Sequence, residues 1–131
     1  MIRLHTHSKE HDGARIVSVT APFRTTEPDK AVSRLEAELA AASKRLESAG
    51  AIIGHLKAFL EPSGGAVTLS ATGGAATVSG QFEFTLGITF IVYNAPDETV
   101  QREIASVAAA ALQEETEIEL CEHDHNEHNE H

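Results

Sequence analysis

Val78, Phe82, Phe84, Leu86, Ile88, Phe90 and Val92 occupy alternate positions, with Gly80 the one gap. Between them stand Ser79, Gln81, Glu83, Thr85, Gly87, Thr89, Ile91 and Tyr93. Successive side chains of a strand point to opposite faces. The pattern therefore predicts one long β-strand, or two in line, with a core face and a mostly polar face. Gly80 and Gly87 are the expected bend or bulge points. Such a strand needs neighbours to pair with and an apolar layer over one side.

The rest of the chain supplies both. Residues 14–23 (Ala-Arg-Ile-Val-Ser-Val-Thr-Ala-Pro-Phe) read as a strand from their β-branched content. Thr26-Glu-Pro-Asp29 then signals a helix start, with a Thr cap, a proline in the first turn and a carboxylate three residues on. Val32, Leu35, Leu39, Ala42 and Leu46 follow as one apolar stripe, and Gly50 supplies the stop. In residues 51–61, Ile52, Gly54, Leu56, Ala58 and Leu60 are expected on one strand face. Ile53, His55, Lys57, Phe59 and Glu61 are expected on the other. Pro62-Ser-Gly-Gly65 reads as a turn before a strand through Val67, Leu69 and Ala71, which breaks at Gly73-Gly74. Neither glycine pair opens a helix, so neither is a phosphate-cradling loop.

Asn94-Ala-Pro-Asp97 opens a second helix with Val100, Ile104, Val107 and Ala111 on one side. Its start repeats the first: Pro28-Asp29-x-x-Val32-x-Arg34 against Pro96-Asp97-x-x-Val100-x-Arg102. An internal duplication of a strand–helix unit and a shared helix-start signal both account for this. Residues 116–120 read as a last short strand. The expected fold is α+β, a two-layer sandwich of ferredoxin-like or related type with two helices on one face of an antiparallel sheet. Residues 14–120 form its single domain, between a His-containing N-terminal segment (1–13) and an acidic His-rich tail (121–131).

Charge is unevenly spread over the 131 residues. Of 20 acidic residues, eight fall in residues 114–131, which hold no Lys or Arg; the remainder carries twelve acidic against ten basic. A near-neutral body with an acidic end has no electrostatic footprint for nucleic acid or an anionic membrane surface. The single cysteine excludes an intramolecular disulfide framework and a Cys-rich structural zinc site. No apolar stretch reaches membrane-spanning length, and the first residues lack a signal-like apolar core, so the cytoplasm is the expected compartment.

Function points to the two ends. Seven of the eight histidines lie there: His5, His7 and His11 near the start, and His123, His125, His128 and His131 in the last stretch. The tail alternates imidazoles with carboxylates beside Cys121, and unlike an expression tag it is interrupted by Asp, Asn and Glu. Imidazole suits Zn, Cu, Ni and Fe(II), carboxylates draw divalent cations, and a thiolate strengthens binding of Zn, Cu(I) or Ni. The tail alternatively serves as a solubilising end. If the N-terminal segment is extended, His5 and His7 share one face. The segment from Leu4 to Gly13 resembles the His-x-His opening of the PHP phosphoesterase domain, whose barrel needs many more strand–helix units than this chain supplies. No further ligand motif follows, so the match is a coincidence.

The expected function is thus a non-enzymatic carrier, chaperone or store for a divalent transition metal, Ni or Zn first and Co or Cu next. Its partner would be a metal-receiving protein. Two alternatives stand beside it. One is a structural or regulatory module that self-associates through its open sheet face, where Ile53, Phe59 and Ile91 are expected. The other is a small-ligand domain using His55, Lys57, Glu83 and Tyr93 on that face. His55, the histidine inside the predicted fold, is by residue type more often a surface residue than a ligand.

Overall fold

The computed structural model describes the backbone of residues 1–72, 75–113 and 116–120, and the side chains of these outside 64–81. In chain order the elements are β1 (Ile2–His11), β2 (Ala14–Thr25), α1 (Pro28–Ser48), β3 (Ile52–Thr72), β4 (Ala75–Tyr93), α2 (Asp97–Leu112) and β5 (Thr116–Leu120). The strands form one mostly antiparallel five-stranded sheet in the order β3-β4-β2-β1-β5, with β5 parallel to β1. Both helices pack on one face, giving the two-layer α+β sandwich expected from the sequence. Without β1, the chain reads β-α-β-β-α-β, the ferredoxin-like connectivity. β1 lies between β2 and β5, so the N-terminal histidines stand on a strand inside the sheet.

The period-2 segment is β4, and its alternation orients the whole core. Leu86, Ile88, Phe90 and Val92 point inward together with Val17, Val19 and Ala21 of β2 and Leu4 of β1. Over them lie Leu35, Ala42 and Leu46 of α1 and Val100, Ile104, Val107, Ala108 and Ala111 of α2. Each large side chain buried this way contributes about 1.5–3 kcal/mol. Thr6 is the buried polar residue of this face among those described, and its hydroxyl donates to the Leu4 carbonyl at 2.9 Å.

Several expectations shift. The apolar stripe of α1 runs through Ala31, Leu35, Ala42 and Leu46 with Leu39 half-buried; Val32 is 44% exposed. A helix offset of one residue rotates a side chain by roughly 100°, enough to carry Val32 off the seam. Thr26 does not cap α1. Glu27 holds the cap position, and the Glu27 amide donates to Thr25 Oγ1. Pro28 does open the helix, and Gly50 ends it with φ of 97°, a conformation that favours glycine. At the corresponding second start, Val100 is fully buried, so the two matched valines serve different ends.

The turn expected at residues 62–65 is instead a bulge in a continuous β3, between Pro62 and Gly64. Proline loses a ladder donor, which an edge strand tolerates, and the bulge absorbs the extra residue. A second bulge between Ile53 and His55 inverts the side-chain phase at Gly54. Ile53 therefore joins the core, while Ile52 is 63% exposed. From Leu56 to Glu61 the expected alternation holds. β2 pairs with β4 as far as Thr25↔Phe82; from Gly65↔Phe82 to Thr72↔Ala75, β3 and β4 continue as a two-stranded ribbon. The expected break at Gly73-Gly74 lies outside the described residues.

Candidate metal centre

β1 alternates like β4. With Leu4 and Thr6 inward, His5 and His7 project from the helix-free face of the sheet. Their antiparallel partners on β2 are Thr20 and Ser18, and the Ser18 hydroxyl lies 3.1 Å from that of Thr89 on β4. On the other side His5 is in register with Glu119 of β5. The imidazole Nδ1 of His5 stands 3.3 Å from Glu119 Oε1. Arg3, one outward position earlier, reaches Glu119 Oε2 at 3.5 Å and Glu117 Oε2 at 3.8 Å. All four side chains are substantially exposed, so each pair contributes at most about 1 kcal/mol. His7, one outward position further on, is half-buried.

His11 closes the strand. It pairs with Ala14 across Asp12-Gly13, whose φ values of 51° and 84° match a two-residue hairpin with both central residues left-handed. Its Nε2 is 3.2 Å from Asp12 Oδ2, with both side chains exposed. His5, His7 and His11 thus share a face and a strand, but not a single point. Among the described residues, no group of three or more His, Cys, Asp or Glu is disposed to hold a metal ion. Cys121, His123, His125, His128 and His131 lie outside the described residues.

The other candidates spread out. His55 is exposed on β3 opposite Ile91, Lys57 opposite Thr89, and Tyr93 opposite Ile52. Glu83 is held by Arg24 at 3.1 Å. Glu83 and Tyr93 are ten residues apart on one strand, roughly 33 Å, so the four do not converge on one ligand. A cleft of about 280 Å³ opens where β2 leads into α1, lined in part by Arg24, Glu27, Lys30 and Arg34. Its cations have partners within the chain: Arg24 with Glu83, Lys30 with Glu27 at 3.1 Å, and Arg34 with the Ala111 carbonyl at 3.4 Å.

Two features escape a reading of sequence. Glu117 and Glu119 count there only as acidic charge, because nothing local specifies that β5 pairs in parallel with β1. Asp97, expected simply to open α2, joins three elements. It accepts from Ser8 of β1 at 2.5 Å and Gln101 of α2 at 2.7 Å, and faces Arg15 of β2 at 3.6 Å. Asp12-Gly13 did carry a signal, since Asp-Gly between alternating residues marks a hairpin.

No helix among the described residues is long and apolar enough to cross a membrane. No protein-family model matches the chain, and neither a curated protein nor a solved structure matches it.

Proposed function

We propose that this protein binds a divalent transition metal, Ni(II) or Zn(II) foremost and Co(II) or Cu next, as a carrier, chaperone or store. A metal-receiving protein would be its partner. One observation supports this reading above the others: the strand that precedes the histidine-rich tail in the sequence pairs with the strand that carries the N-terminal histidines. His5 and His7 stand on β1, and β5 beside it ends at Leu120, the residue before the Cys121–His131 run. A labile collection of imidazoles and carboxylates on a carrying domain suits capture and transfer more than catalysis.

Calorimetric titration with nickel and zinc chlorides tests it, using the full chain and a chain ending at Leu120. Binding by the full chain that drops at least about tenfold on truncation is the expected result. Undetectable binding in both, or equal binding in both, removes the tail as a metal ligand.

A second reading rests on a separate observation. Ile52, Phe59 and Tyr93 lie on β3 and β4 at 63%, 44% and 40% exposure, and Ile52 pairs directly with Tyr93. Apolar side chains grouped on an open sheet face favour self-association. Sedimentation equilibrium of the parent chain and of Phe59→Glu separates the cases: a metal-independent dimer that dissociates in the variant supports this reading, and a monomer in both dismisses it.

A further inference from the structure

We infer that the outer edge of β3 docks against the same edge of a second copy of this chain, antiparallel, about a two-fold axis through Phe59. The two sheets then run on as one. The inference rests on the self-association reading above and fixes the contact within it.

β3 is the outermost strand, and among the described residues no strand lies beyond it. Its outward backbone donors and acceptors are a ready template for another strand. Two bulges, between Ile53 and His55 and between Pro62 and Gly64, bracket a regular stretch. Within it the faces alternate without a break. His55, Lys57, Phe59 and Glu61 are exposed, while Leu56, Ala58 and Leu60 are half-buried at the margin of the core, with apolar surface still open.

Charge selects the partner. An edge guarded against association sets a lysine alone toward solvent. Here Lys57 comes with Glu61, four residues on and of the same parity. Both are exposed, neither has an ion-pair partner among the described residues, and their neighbours on β4 are Thr89 and Thr85. In an antiparallel pair related by a two-fold axis, opposed residues have numbers of constant sum and project to the same face. With Phe59 on the axis, Lys57 meets the partner's Glu61, twice over, and Phe59 meets its own image. On the other face Ala58 meets the partner's Leu60, which continues the apolar layer.

Opposed Cβ atoms in such a ladder stand roughly 4.5–5.5 Å apart, within reach of a Lys–Glu pair and an aromatic pair. Moving the axis one residue, to Ala58, sets Lys57 against Phe59 and loses both ion pairs. The bulges, and Pro62 with no N–H to donate, end the ladder on either side and hold its register. A two-fold contact is closed, so no filament grows from this edge.

Charge exchange tests the pairing, read by sedimentation equilibrium at low salt with a chelator present. The parent chain should dimerise. Lys57→Glu and Glu61→Lys each oppose like charges twice, and each alone should dimerise at least about tenfold more weakly. An equimolar mixture of the two restores opposite charges and should recover the parent affinity, as should the double exchange Lys57→Glu/Glu61→Lys. Far-ultraviolet dichroism checks the fold of each variant. A single variant that dimerises as tightly as the parent, or a mixture no tighter than its components, overturns the edge pairing. A dimer that persists there and yields to Phe59→Glu leaves face-to-face association standing. A parent chain that stays monomeric ends both.

Discussion

The ring of Phe59 lies across Gly87 of the neighbouring strand, so close that any Cβ there would fall on it. Tyr93 and Gly54 repeat the arrangement with the strands exchanged: a Cβ on Gly54 would stand 3.2 Å from the Tyr93 ring. Each glycine removes a side chain from the helix-free face and an aromatic from the next strand covers the gap.

Gly87→Ala should therefore cost about 1–3 kcal/mol, the penalty of forcing a ring off a packed position. In a Phe59→Ala background the same change should cost less than about half as much, since the obstacle is gone. Urea unfolding of the four chains measures the cycle; strict additivity would show that the ring does not respond to the added methyl.

The revised helix seam has a sharp consequence. Leu35→Ala removes a buried side chain of α1 and should destabilise by about 2–5 kcal/mol. Val32→Ala, at an exposed position, should stay within about 0.5 kcal/mol. Comparable losses at both sites in thermal melts would return Val32 to the core.

Asp97 binds Ser8 and Gln101 and faces Arg15, at the first residue of α2. Asp97→Ala removes the hydrogen bonds and a favourable charge at a helix start, at a cost of about 1–3 kcal/mol. Ser8→Ala should cost less, because the other Asp97 contacts remain. Chemical denaturation ranks the two, and the reverse order would mean that Asp97 is not the joint between these elements.

His5→Ala should lower zinc affinity, since the metal-binding reading counts its imidazole among the ligands. Calorimetry at low salt reads the change, and an unaltered affinity would remove His5 from the ligand set.

Acidification should release the ion. Imidazole ligates only when neutral, so affinity should fall as pH drops through the ordinary histidine range near about 6.5. The stabilisation that bound ion lends the folded chain should fade over the same interval. Melting temperatures with and without nickel at pH 7.5 and 5.5 check this; an equal rise at both pH values would argue against imidazole ligands.

The strength of the periodic signal decided what was legible. Phe90 and its alternate neighbours, and the Val100–Ile104–Val107–Ala111 stripe, declared their faces because burial is repeated at a fixed period. Both helices, their arrangement on one sheet face and the strand at residues 116–120 followed. What failed was local. A bulge at Gly54 or Ser63 changes phase without a distinctive composition, and one helical position separates Ala31 from Val32. Among the candidate ligands, His5 and His7 were expected on a common face if extended, and they share one. Glu119 beside His5 was invisible, since a pairing between strands at opposite ends leaves no trace in either segment.

That pairing also shapes how the protein is assembled. Joining Ile2 to Thr116 closes nearly the longest loop the polypeptide can make. The entropy of that closure is met only after most of the chain is in place. The seam between the first and last strands should thus be the late step of folding and the early step of local opening.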